Sequence, residues 1–231
     1  MPNTLFLRLE GPLQSWGERG RWSVRDSAPE PTKSGVVGLL ACALGRGDDD
    51  TIRSLSASLR MGVRVDKPGV RLTDYHTIGG GYDAPALLTA EGKPKWSSGG
   101  PHTEISLRDY LADASFLVAL RGDETLIAQL AAALQEPVWV IYLGRKSCPP
   151  ARPVFADVGD YPDLAAALAH QPWPATADRR PKAAPAALRA IIECEPGGGD
   201  ARHRDNFVSR RYRLYEPRYT RAMLLEPREA G

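Results

Sequence analysis

Three cysteines in 231 residues, Cys42, Cys148 and Cys194, are too few and too far apart for a disulfide framework or a zinc cluster, so reduced thiols are expected. Four histidines, His76, His102, His170 and His203, show no metal-ligand spacing, and no Ser–His–Asp signature accompanies them. Neither a metal nor a cofactor is expected. No apolar run approaches the roughly 18 residues of a membrane span, and no basic-plus-apolar leader precedes the first strand, which predicts a cytoplasmic protein without membrane contact. An excess of one charge is missing as well. Thirty basic residues face 28 acidic ones for a formal net charge of +2, so composition alone does not announce a nucleic-acid binder.

What is present is unevenly distributed. Between Ala201 and Pro227, seven arginines meet three acids, a local excess of four positive charges, and Phe207, Tyr212, Tyr215 and Tyr219 are interleaved with them. That pattern suits RNA backbone contact and stacking, and it suits a solvated strand face equally well. The length fits one generous domain, or one domain with an appendage.

The organising stretch is Pro31 to Gly45, PTKSGVVGLLACALG. Thr32 and Ser34 can accept a backbone N–H at a helix start, Val36, Val37, Leu40 and Leu44 recur at helical spacing, and Gly45 supplies a stop. Lys33 and two hydroxyls then lie at the helix N-terminus, where free amides and the positive dipole end favour an anion such as phosphate. An ordinary capped core helix reads the same way. A nucleotide-binding P-loop is excluded, because Thr32 stands directly before the lysine, where that motif needs glycine.

Elsewhere the periodicity is plain. Leu5, Leu7 and Leu9 alternate with Phe6 and Arg8 as a strand with one strongly apolar face, ended by Gly11-Pro12. The following loop carries Gln14, Ser15, Trp16, Arg19, Arg21, Trp22 and Arg25. Its amide, hydroxyl, indole and guanidinium groups suit RNA contact, and two tryptophans packed over a core edge are the other reading. Asp48 to Asp50 cap a short helix carrying Ile52, Leu55 and Leu59. Met61–Asp66 and Val70–Thr77 read as a hairpin about Lys67-Pro68-Gly69.

From Gly79 to about Thr103 periodic apolar residues are few, while Lys93, Lys95, Trp96 and His102 are present, so a functional loop or disorder is expected there. Ile105–Tyr110 and Ala114–Arg121 read as strands, a helix follows Asp123, and Val138–Leu143 reads as the next strand, running into the basic turn Gly144-Arg145-Lys146-Ser147. This order predicts an α+β, ferredoxin-like fold of the kind found in RNA-recognition motifs, an antiparallel sheet backed by helices. Residues 1–150 form that domain, with a thumb-like insertion at 79–104. Residues 151–231 form a small C-terminal β-rich appendage, with a linker-like 172–185 rich in proline and alanine.

The segments Leu7–Trp22 and Pro31–Gly45, with TDYHT at Thr73–Thr77, DYLADASFLVAL at Asp109–Leu120 and YLGRKSCP at Tyr142–Pro149, resemble the CasD family of type I-E CRISPR surveillance complexes, Cascade, within the repeat-associated mysterious protein superfamily. The resemblance implies a non-catalytic subunit in antiviral defence. Such a subunit binds the 5′ handle of the CRISPR RNA, caps the backbone filament beside the backbone subunit CasC and the large subunit CasA, and meets target DNA only through the assembled complex. Taken with the residue chemistry, it nominates Gln14, Ser15, Trp16, Arg19, Arg25, Thr32, Lys33, Ser34, His76, Trp96, His102, Arg108, Arg145, Lys146 and Ser147 as RNA-binding. The alternative is a metal-independent endoribonuclease that processes precursor CRISPR RNA, as related type I-C proteins do with a tyrosine, lysine and histidine. Tyr75, His76 and Lys146 are the candidates for that chemistry.

Overall fold

The computed structural model describes residues 2–20, 23–81, 86–174, 185–226 and 228. Arg21, Trp22 and most of the linker-like 172–185 therefore lie outside the described residues.

The chain begins with β1 (Thr4–Glu10), two short strands β2 (Leu13–Gln14) and β3 (Val24–Arg25), and the helices α1 (Lys33–Ala43) and α2 (Asp49–Ser58). Both helices start as their sequences predict: the Thr32 side chain accepts from the Gly35 N–H, and the Asp48 carboxylate from the Thr51 N–H. β4 (Arg60–Lys67), β5 (Val70–Gly79), the two-residue strands β6 (Trp96–Ser97) and β7 (Gly100–Pro101), β8 (Thr103–Ala112) and β9 (Ser115–Arg121) follow. Next come α3 (Glu124–Gln135), capped by Asp123, then β10 (Phe155–Gly159) and α4 (Leu164–His170), capped by Asp163. Three strands complete the described chain: β11 (Leu188–Cys194), β12 (Ala201–Ser209) and β13 (Leu214–Leu225).

Seven strands form one sheet in the order β10-β1-β9-β4-β11-β13-β12, and every neighbouring pair is antiparallel. The alternation along β1 sorts its side chains between two cores. Leu5, Leu7 and Leu9 pack with α1, α2 and α3, whereas Phe6 packs with Leu117, Ala119 and Ala190 against α4. The strand expected to have one apolar face is therefore covered on both, because α4 closes the second. Arg64, wholly buried, donates to the Gln171 and Pro172 carbonyls at the end of α4 and pairs with Asp66 at 2.7 Å. Its Nη1 also donates to the Leu168 carbonyl, one of those left open in the last turn of that helix.

A second sheet is organised on β8. β5 pairs with it along its whole length, from Val70 opposite Ala112 to Gly79 opposite Thr103, while β2 and β3 take its other edge. The result is a long two-stranded ribbon tipped by the small β6–β7 hairpin.

Four expectations are corrected by this topology. β4 and β5 are not a hairpin. β4 pairs with β9 and β11, and the chain changes sheets at Pro68-Gly69. The segment 79–104 is not set apart at those bounds, since it continues a ribbon that begins at Val70 and returns at Ala112. Val138–Leu143 is not a strand. Its Val138 and Trp139 N–H groups instead donate to the Ala43 and Cys42 carbonyls at 2.9 and 3.2 Å, which satisfies the C-terminal end of α1. β10 takes the sheet edge beside β1, so the fourth strand of the first βαββαβ run lies beyond residue 150. The division at residue 150 thus cuts through one sheet. β11 pairs directly with β4, and the C-terminal strands extend the sheet rather than pack on it from outside.

Candidate nucleic-acid interface

The loop after β1 is rigid where RNA contact was expected of it. The Gln14 amide donates to the Leu9 and Ala114 carbonyls at 3.0 and 2.8 Å and accepts from the Trp16 indole N–H at 3.1 Å. The Ser15 hydroxyl donates to the Asp109 carbonyl. Trp16 is wholly buried, and its ring lies so close to α1 that a Cβ at Gly35 would stand 2.9 Å from Cε3. These three side chains fix the start of the loop; their polar groups are already satisfied, and the indole has no face left for a base.

The N-terminus of α1 also differs from expectation. Lys33 is 2% exposed, its ammonium pairs with Glu193 of β11 at 2.9 Å, and its backbone N–H donates to Asp205 of β12 at 2.8 Å. Asp205 in turn receives two hydrogen bonds from the Arg218 guanidinium, at 2.8 and 2.7 Å. The anion favoured by the helix start is thus supplied by the chain's own aspartate. Burial pushes the Lys33 ammonium below the usual lysine range, with Glu193 pulling the other way. Burial raises Asp205, but Arg218 and the Lys33 N–H outweigh it and hold the carboxyl below its ordinary value. As a phosphate ligand Lys33 is corrected to a buried ion-pair partner, and Thr32 to a cap 5% exposed. Ser34 lines both parts of an open cleft and Thr32 one of them, whereas Lys33 lines neither.

That cleft has two adjoining parts. One, about 850 Å³, lies between the Gly17–Gly20 loop and the β12–β13 hairpin and carries Arg19, Arg202 and Arg204. The other, about 580 Å³, lies toward Ser15 and Gly144 and carries Arg25 and Arg145. Gly17, Gly20, Ser34, Arg210, Arg213 and Tyr215 line both, so the two are continuous. Seven arginines therefore surround the groove against three acids, Glu18, Asp26 and Asp205. Asp205 is committed to Arg218, and the Asp26 carboxylate accepts the Glu18 and Arg19 backbone N–H groups.

Arg145 is held in place. Its Nη2 donates to the Arg25 carbonyl at 3.0 Å, and its guanidinium carbon stands 4.8 Å over the Tyr110 ring. The turn before it admits only glycine: Gly144 has φ +86°, and a Cβ there would fall 1.7 Å from the Ser15 carbonyl oxygen. Lys146 and Ser147 are exposed on the same turn but are not among the residues lining either part.

The remaining candidates sit on the ribbon, away from the groove lining. Arg108 donates to the Ser106 hydroxyl, and His76 Nδ1 is 3.4 Å from Asp74. Lys95 and His102 share one Glu104 oxygen at 2.9 Å each, which holds that exposed carboxyl below its usual range, Lys95 contributing most. Trp96 at the tip is 63% exposed. Tyr75 and His76 are successive residues of β5 and so point to opposite faces of the ribbon. They lie opposite Leu107 and Ser106, three and four residue pairs beyond the Leu72–Tyr110 pair on which Arg145 stacks, a separation on the order of 10–14 Å. The structure does not gather Tyr75, His76 and Lys146 into one site.

The groove residues missed by the sequence reading are Arg202, Arg204, Arg210, Arg213 and Tyr215. Their signal, a local excess of arginine with interleaved aromatics, is legible, but nothing local says which strand face opens to a groove. Among the described residues no cluster of metal-ligating side chains occurs, and no helix is long and apolar enough to cross a membrane.

Fold and groove together define an α+β protein of mostly antiparallel sheets whose open face carries an arginine-lined cleft. A family model described as CRISPR-associated protein (Cas_Cas5) matches residues 4–221, and the chain belongs to that family. It is 37% identical over 169 residues to the CRISPR system Cascade subunit CasD of Escherichia coli strain K12, an alignment covering 67% of this chain and 70% of that protein. Among solved structures it resembles a chain of a CRISPR RNA-guided surveillance complex, with TM-score 0.79 and 34% identity over 97% of this chain and 90% of the other. It also resembles a crystal structure of a Cas protein, with TM-score 0.73 and 36% identity over 98% of each.

Proposed function

We propose that this chain is a non-catalytic subunit of a type I-E Cascade complex that holds the 5′ handle of the CRISPR RNA in the arginine-lined groove. The observation that carries this reading is the groove itself, a continuous concave surface with seven arginines and a tyrosine, built where loop, helix start and C-terminal hairpin meet. The strand order β10-β1-β9-β4 matches the ferredoxin-like pattern in which the first and third strands are central, and this supports an RNA-recognition-like core. The β5–β8 ribbon is the thumb that reaches toward the backbone subunit CasC, and the large subunit CasA adjoins the same end of the filament. Target DNA is met only through that assembly, in the cytoplasm.

Cleavage is the weaker reading. A base and an acid for ribose 2′-hydroxyl attack must face one phosphate, and Tyr75 and His76 face opposite sides of a strand. The test is a gel assay of the purified chain with labelled CRISPR repeat RNA in the presence of chelator, scoring retention and cleavage together. Retained, intact, handle-dependent RNA, weakened by Arg145→Ala and unaffected by Lys33→Ala in the folded protein, is the expected result. Defined cleavage products would move the chain to the ribonuclease reading.

A further inference from the structure

We propose that the β12–β13 hairpin is a base-blind phosphate clamp for single-stranded RNA, a segment of the groove separate in function from the Arg145 side; this rests on the handle-binding reading. In β12 Asp205 and Phe207 are buried, while Arg202 and Arg204 stand exposed along the groove, about 7 Å apart. Arg213 closes the cluster from the hairpin turn, where it holds φ +48°, a conformation that non-glycine residues rarely adopt. Its N–H donates to the Arg210 carbonyl across that turn, and Arg210 is anchored to Asp49 at 2.7 Å.

The two sides differ in how their cations are held. Arg145 is fixed by a carbonyl and an aromatic ring, so its guanidinium has one orientation, which is what recognition of a base edge requires. The side chains of Arg202, Arg204 and Arg213 make no hydrogen bond or ion pair to a described residue. They offer charge without orientation, which suits phosphate oxygens and carries no sequence information. Tyr215 lines both parts of the groove, its ring set edge-on by Phe207 with centroids 6.1 Å apart, and so provides a stacking surface where the parts join. The parts share their lining at that junction, so a strand entering one continues into the other, and the unoriented cations beside a stacking ring suit single-stranded RNA as the occupant.

The experiment is fluorescence anisotropy of the full chain over a salt series with three probes: labelled handle RNA, a scrambled RNA of equal length, and a DNA duplex of equal length. The variants are the double substitution Arg202→Ala/Arg204→Ala and, separately, Arg145→Ala. The double variant is expected to weaken both RNAs by the same factor and to lower the slope of log affinity against log salt by about 1.4, two phosphates at roughly 0.7 each. Arg145→Ala is expected to weaken the handle more than the scrambled RNA. An unchanged slope in the double variant, or a loss confined to the handle, overturns the clamp while the handle reading stands. Duplex DNA bound as tightly as RNA, with the same loss of slope, overturns the single-strand assignment. No binding of either RNA by the unsubstituted chain overturns both.

Discussion

Two cationic regions lie side by side in this protein and behave oppositely. At the start of α1, Lys33 and Arg218 are sealed beneath β11, β12 and β13 and are met by Glu193 and Asp205. A few residues away, Arg202, Arg204 and Arg213 stand in the open groove. Arg204 and Asp205 are neighbours at a bulge in β12, yet Arg204 stays exposed while Asp205 is buried and committed to Arg218 and the Lys33 N–H. The contrast teaches that a run of positive charge identifies a ligand site only after its internal anions have been assigned. A buried cation must be paired, whereas an exposed one stays hydrated and available.

The contrast is most directly broken at Asp205. Asp205→Ala leaves the buried Arg218 without its partner and the Lys33 N–H without an acceptor, and a loss of about 3–5 kcal/mol is expected in urea unfolding. A loss below about 0.5 kcal/mol would erase the distinction between the two regions. Lys33→Ala takes the ammonium from Glu193, which keeps the Met61 N–H and Arg60, so a smaller loss of about 1–3 kcal/mol is expected, with handle RNA affinity unchanged under native conditions. Gly35→Ala pushes a methyl into the Trp16 ring and is expected to cost about 1–3 kcal/mol, read as a lower unfolding midpoint.

Acidity sharpens the same comparison. Asp205 has a folded-state pKa below its unfolded value near 3.9, so its contribution is complete above about pH 4 and is lost as pH falls through the depressed value. Urea midpoints followed downward from pH 6 should show this loss below about pH 4, and Asp205→Asn should flatten it. The smallest effect belongs to the open side. Arg202→Ala and Arg204→Ala should each leave stability within about 0.5 kcal/mol, although they change RNA binding.

Much of the local structure was legible. Thr32, Asp48 and Asp123 cap helices where their sequences predict, because an N-cap needs only a side chain and the amides two or three residues on. Val138–Leu143 misled, since a short continuous apolar run fits a strand, while here it serves to close the end of α1 and leaves Val138 and Val140 exposed. Trp16 and Gln14 misled in a different way. An indole and an amide next to arginines suit RNA chemistry, but both are spent on fixing the loop against Gly35 and the backbones of Leu9 and Ala114.

The sequence by itself determined the helices and their caps, most of the strands, the α+β class, and through its motifs the family. Those features depend on side chains a few residues apart, which any short window displays. The tertiary structure alone decided which cations are ligand groups. The bond between Lys33 and Asp205 spans 172 positions, and the groove joins Arg19, Ser34, Arg145 and Arg213 from four distant segments. Whether a lysine at a helix start waits for a phosphate or is satisfied from within depends on which distant carboxylate the sheet brings to it, and strand order rather than local spacing sets that.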